Sequence, residues 1–99
     1  MATSETLENI KALVRDGRVL VSAHGYDELA ADGIFFGEVL IGVSAAELIE
    51  DYLSAFKGPS VLVLQRDKNN RPLHTVWGIQ KGAQGPAVLV TAYRPDPAR

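Results

Sequence analysis

Apolar residues recur at helical spacing in the first half of the chain and at strand spacing in the last part. Leu7, Ile10, Leu13 and Val14 fall every three or four residues behind Ser4, and Gly17 closes the run. That pattern predicts an amphipathic helix with a serine N-cap and a left-handed glycine stop. Glu5 and Glu8 near its start, and Lys11 and Arg15 near its end, suit the helix dipole. Arg18–Val21 reads as a short extended piece. Ser22 is placed to cap a second helix through about Asp32, with Tyr26, Leu29 and Ala30 as its apolar side and Gly33 as its end. Phe36, Val39, Leu40 and Val43 mark a third, shorter helix.

Three runs rich in Val, Leu, Thr and aromatics follow, at 60–66 (SVLVLQR), 71–80 (RPLHTVWGIQ) and 86–94 (PAVLVTAYR). These residue types fit a pleated surface, and the runs predict a three-stranded meander with 71–80 in the middle. Lys68-Asn-Asn-Arg71 suits a two-residue type I′ turn, because both asparagines tolerate positive φ. Lys81-Gly-Ala-Gln-Gly85 is a longer hairpin loop. With Asn69-Asn70 as the turn, His74 shares a face with Val61, Val63, Gln65 and Val76. A second register centred on Ala83 sets Arg94 diagonally beside His74, with Tyr93 on the opposite face or rim. Residues 44–56 carry two signals. Ser44 and Glu47 form a capping box, and Leu48, Ile49, Tyr52, Leu53 and Phe56 recur at helical spacing. The tail after Pro95 has no means of continuing the sheet and is expected to fray.

Ninety-nine residues, 46% of them hydrophobic and 22% charged, describe one domain with a modest core. The absence of cysteine excludes disulfides and thiolate chemistry. No apolar run is long enough to span a bilayer, and the N-terminus lacks the order of a secretory signal, so a cytoplasmic protein without membrane contact is expected. The net charge of −2 is unevenly spread. Residues 1–54 hold ten acids against three bases; residues 55–99 hold two acids against seven bases. The meander is therefore basic, which suits an anionic partner.

Two histidines could carry acid–base chemistry near neutral pH. His24 opens the second helix with Asp27 and Glu28 at i+3 and i+4. His74 sits mid-strand. No spacing brings His24, Glu28 and His74 together as a metal set, and no cofactor or metal is expected. Arg66, Arg71 and Arg94 are candidates for phosphate binding, and Tyr93 for base stacking or proton transfer.

Several short motifs together resemble domain-of-unknown-function family 4258. They are Ser22-Ala-His24, Gly33-Ile34 before a helix ending in Val39-Leu40, Ile49-Glu-Asp-Tyr52, Val61-Leu-Val-Leu64, Arg71-Pro-Leu-His74 and Val90-Thr-Ala-Tyr93. The resemblance covers about Val19 to Pro95 and leaves the first helix as an addition. That family is similar to the RelE/ParE and BrnT toxins, which implies an α+β fold of N-terminal helices packed on a curved antiparallel sheet of about four strands. It also implies a strand from about Glu47 to Leu53, against the local helix signal. The recurrent polar positions it implies are His24, His74, Thr91 and Tyr93. This chain departs from the family where an Arg is usual four residues after the first His, since Glu28 stands there. A second usual Arg gives way to Ala30-Ala31-Asp32.

The resemblance implies a toxin-like domain of a toxin–antitoxin system that cleaves mRNA without a metal. His24, His74 and Tyr93 would be catalytic, and Arg66, Arg71, Thr91 and Arg94 would bind. Its partners would be RNA or the ribosome and a cognate antitoxin-like protein, with a homodimer left open. The rival expectation is a non-catalytic protein-interaction module on the same fold.

Overall fold

The computed structural model describes residues 4–55 and 57–95. Helix α1 (Glu5–Arg15) starts where Ser4 Oγ accepts the Leu7 N–H at 3.1 Å. It stops before Gly17, whose φ of 74° is a left-handed value open to a residue without Cβ. Strand β1 (Val19–Val21) leads into α2 (Ala23–Ala31), capped by Ser22 through the Gly25 N–H at 2.9 Å. Helix α3 (Phe36–Gly42) and a 3-10 turn (Val43–Ala45) precede four strands, β2 (Glu47–Tyr52), β3 (Ser60–Arg66), β4 (Pro72–Ile79) and β5 (Ala87–Tyr93). The fold is α+β. Phe56 and the tail from Asp96, for which packing and fraying were expected, lie outside the described residues.

The sheet has five strands in the order β1-β5-β4-β3-β2, one more than the four expected, and it is mixed rather than antiparallel. The added strand is the Arg18–Val21 piece. It pairs parallel with β5, Val19 opposite Ala87 and Val21 opposite Leu89. Parallel pairing joins segments far apart in sequence, so no local signal announces it. Residues 47–52 are a strand, as the family pattern implied. The capping box is overridden because pairing with β3 uses the backbone of 47–52, and Ser44 Oγ donates instead to Ile41 O at 3.3 Å.

The β3–β4 register differs by one residue from the expected one throughout, the β4–β5 register only beyond a bulge, and each slip has a cause. At the β3–β4 hairpin the loop holds three residues, with only Asn70 at positive φ (61°). The Asn70 N–H donates to Asp67 O (2.9 Å), while Asp67 Oδ1 accepts from the Asn69 and Arg71 N–H groups (2.9 Å each). The aspartate thus builds a longer turn than Asn-Asn alone would. His74 therefore pairs with Leu64, and its face carries Leu62 and Leu64 rather than Val61, Val63 and Gln65. Between β4 and β5 the expected register holds from Ile79↔Ala87 to Trp77↔Leu89. A β-bulge at Val90 then shifts it, giving Val76↔Thr91 and His74↔Tyr93.

One sheet face is the core side. Val61, Val63, Leu73, Trp77, Leu89 and Ala92 are buried there with Leu7, Ile10 and Leu13 of α1 and with Val39 and Val43. Inside this layer Thr75 Oγ1 donates to Gln65 Oε1, and Gln65 Nε2 donates to Val39 O, both at 2.9 Å. Pairing satisfies these buried groups and ties α3 to the sheet. On α2 the expected apolar side is corrected: Gly25 and Leu29 are buried, and Tyr26 is 67% exposed. An added Cβ at Gly25 would stand 2.7 Å from Leu89 O, so only glycine lets the helix lie this close to β5.

Candidate functional site

The site is assembled by the bulge. Ser22 reaches it from α2's N-terminus: its N–H donates to Leu89 O (3.0 Å) and its hydroxyl to Val90 O (2.9 Å). An extra residue in one strand re-aims the side chains beyond it. Here it turns Tyr93 to the outward face opposite His74, with Thr91 next along the same strand face. His74 Nδ1 and Tyr93 Oη are 3.2 Å apart, and the rings meet edge to face at 5.3 Å between centroids. Both side chains are half-buried.

Arg94 goes the other way. Its expected place beside His74 on one face is corrected by the same bulge: it lies off that face and binds Asp67, Nη2 to Oδ2 at 3.0 Å. Arg71 also reaches Asp67 Oδ2, at 3.4 Å, and keeps 60% of its side chain exposed. Arg66 is exposed and donates to Asn70 O at 3.3 Å. The three arginines do gather near the β3–β4 hairpin, but Arg71 and Arg94 are engaged by a carboxylate that is itself only 3% exposed. The Arg71 N–H, before any other cause, holds the Asp67 carboxyl below its ordinary value. Burial opposes this, and the Asn69 N–H and Arg94 add to it.

His24 is not brought to the pair. Its side chain is 67% exposed, and Nε2 lies 3.2 Å from Glu28 Oε1. Among the described residues no hydrogen bond or ion pair joins it to the sheet. Nor do three His, Asp or Glu side chains cluster there as a metal site would require.

Tyr52, in the sequence only a member of an apolar spacing and a family motif, is a further polar group of the outward face. It pairs with Ser60, two outward positions beyond the β2 bulge, and the Glu50 carboxylate beside it pushes its phenol above the ordinary value; slight burial and Tyr93 add to the shift. The signal was present, since Glu50 and Tyr52 are i and i+2 on a strand and share a face. The outward face thus presents an imidazole, two phenols and a threonine within one sheet.

The family described as Domain of unknown function (DUF4258) matches residues 21–94. The chain belongs to the DUF4258 family. Within the DUF4258 region lie both partners of the His74–Tyr93 pair, the bulge, and the Ser22 that holds it; α1 lies outside it. No curated protein and no solved structure matches the chain. No helix of the described residues is long and apolar enough to cross a membrane.

Proposed function

We propose that this DUF4258 domain is a RelE-like, toxin-type endoribonuclease that needs no metal, with His74 and Tyr93 as its acid–base pair. The observation that carries the reading is their 3.2 Å contact on a sheet face open to solvent. With Nδ1–H donating to Tyr93 Oη, the imidazole keeps its Nε2 lone pair free, and the phenol proton is free to point outward. Nε2 takes the proton of a ribose 2′-hydroxyl, the 2′-oxygen bonds to the neighbouring phosphorus, and the bond from phosphorus to the 5′-oxygen breaks. Tyr93 protonates that leaving oxygen, and the products are a 2′,3′-cyclic phosphate and a 5′-hydroxyl. Thr91 donates to a phosphate oxygen in this reading, while Arg66 and Arg71 supply positive charge at the hairpin end of the same sheet. Arg94 contributes by holding Asp67.

The test is RNA cleavage by the purified chain, with and without ribosomes. His74→Ala and Tyr93→Phe should each lower the rate by about 10²–10⁴-fold, the range for a positioned acid or base. Intact RNA in both settings, with no growth arrest on expression, would sink the enzymatic reading.

A second reading rests on a different observation. Leu62, Leu64, Val76 and Val88 keep part of their surface on the outward face, and Val90 is 38% exposed. An apolar sheet face of this kind also suits a non-catalytic module that docks another chain, such as an antitoxin-like protein. That reading expects tight partner binding that survives His74→Ala and no RNA cleavage.

A further inference from the structure

The outward sheet face holds a hollow of about 590 Å³ that the His74–Tyr93 pair does not occupy. Its floor is Val76, Gly78, Val88 and Val90, and its rim includes Lys57 and Gln80. Volumes of this order hold small ligands, and a mainly apolar lining with a few polar rim groups is usual for them. Val76 is the next outward position along β4 from His74, so the hollow opens about 7 Å from the imidazole at the rise of an extended strand. Gly78 is what leaves the floor open. Directly across from it stand Ser60 on β3 and Val88 on β5.

We propose that this hollow receives one unpaired base of a single-stranded RNA, next to the scissile ribose at His74. The proposal rests on the RNA-cleaving reading and adds to it where the substrate's base is read. Single-stranded RNA is recognised through splayed bases laid against flat side chains and hydrogen-bonded at their edges. No aromatic ring lines the hollow among the described residues; the valine methyls and the bare Gly78 backbone offer apolar contact to a base in its place. The Gln80 amide has both a donor and an acceptor for a base edge, and Lys57 matches the charge of the adjoining phosphate. A second copy of this chain or an apolar peptide would not need a cation at the rim. The RNA backbone does.

Gly78 also supplies the test, because a Cβ fits there at ordinary contact distances. A Cβ at Gly78 would meet nothing nearer than Ser60 Cβ at 3.5 Å, an ordinary contact, and the rest of the side chain would fill the hollow. The full chain carrying His74→Ala, so that RNA stays intact, is titrated with short single-stranded homopolymers of A, C, G and U. A parallel set adds Gly78→Leu, and thermal melting checks that both fold. Methyl resonances of Val76, Val88 and Val90 are followed by NMR as each nucleoside monophosphate is added. The expected result is a preference among the four homopolymers, lost with Gly78→Leu together with about tenfold of affinity, and methyl shifts for the preferred nucleotide. Unchanged affinity and preference in the Gly78→Leu chain, or methyls that ignore all four nucleotides, would overturn the base site even if the wild-type chain cuts RNA. Base-selective binding by a chain that cuts nothing would uphold the site and fail only the enzymatic reading. A Gly78→Leu effect confined to self-association would also overturn the proposal.

Discussion

At the residue scale, two side chains do more than their types suggest. His74 alone among valines and leucines is an ordinary half-buried histidine; it becomes a candidate catalyst because Tyr93 Oη stands 3.2 Å from Nδ1 and sets a second proton-bearing group beside it. Asp67 is the other. It accepts two backbone N–H groups and two arginines, and its carboxyl is held below the ordinary value, by the Arg71 N–H above all. A carboxyl with a lowered folded value stabilises the fold above its unfolded value of about 3.9, and that contribution is lost as pH falls through the lowered folded value. Asp67→Asn should therefore unfold more readily than wild type in urea at pH 7, with the gap closing as the pH is taken below 4. A gap that stays constant with pH would mean that the charge of Asp67 contributes nothing.

At the scale of elements, the decisive contact is between α2 and β5. Ser22 caps α2 and, through its N–H and hydroxyl, holds the carbonyls of Leu89 and of the bulged Val90, while Gly25 lets the helix come within reach. Helix position and strand register are thus coupled. Gly25→Ala puts a Cβ 2.7 Å from Leu89 O, and overpacking of that kind costs about 1–3 kcal/mol. The expected outcome is a lower urea midpoint together with a disturbed contact between Tyr93 and His74, visible in the imidazole NMR signals. A variant that loses stability while those signals stay put would show that the bulge does not depend on α2. A separate check on the interior is Thr75→Val, which removes the donor to Gln65 Oε1 in a buried network. It should cost about 1–3 kcal/mol by denaturant unfolding, the penalty for a buried polar group left unpaired.

At the scale of the whole molecule, α1 matters although it lies outside the family-matched residues. Leu7, Ile10 and Leu13 are buried in the common core, and α1 packs on β3, β4 and β5. Ile10 is fully buried, so Ile10→Ala should cost about 2–5 kcal/mol, measured by urea unfolding. A cost under 1 kcal/mol would make α1 a loosely attached addition. Charge also acts at this scale. The acidic first part of the chain and the basic meander polarise it, but Asp67 offsets part of the basic end. If RNA binds through Arg66, Arg71 and Lys57, affinity should fall steeply between low and physiological salt. A flat salt response would assign binding to the apolar face instead.

What the amino-acid order determined by itself was local. Ser4, Gly17, Ser22 and Gly33 set the ends of α1 and α2, and alternation of apolar residues marked β3, β4 and β5, because caps, stops and strand patterns are properties of neighbouring residues. Tertiary structure decided the rest. The parallel seat of β1 beside β5, the strand at 47–52 in spite of its capping box, and both registers depended on partners distant in sequence. The registers matter most, since a shift of one residue moves a side chain to the other face of the sheet. Asp67 lengthened one turn by a residue, and Ser22 pinned an extra residue at Val90, 68 positions away. The first shift sets Leu62 and Leu64 on the face of His74; the second puts Tyr93 across from it and moves Arg94 off that face, because strand side chains alternate and the chain does not announce where a strand will bulge.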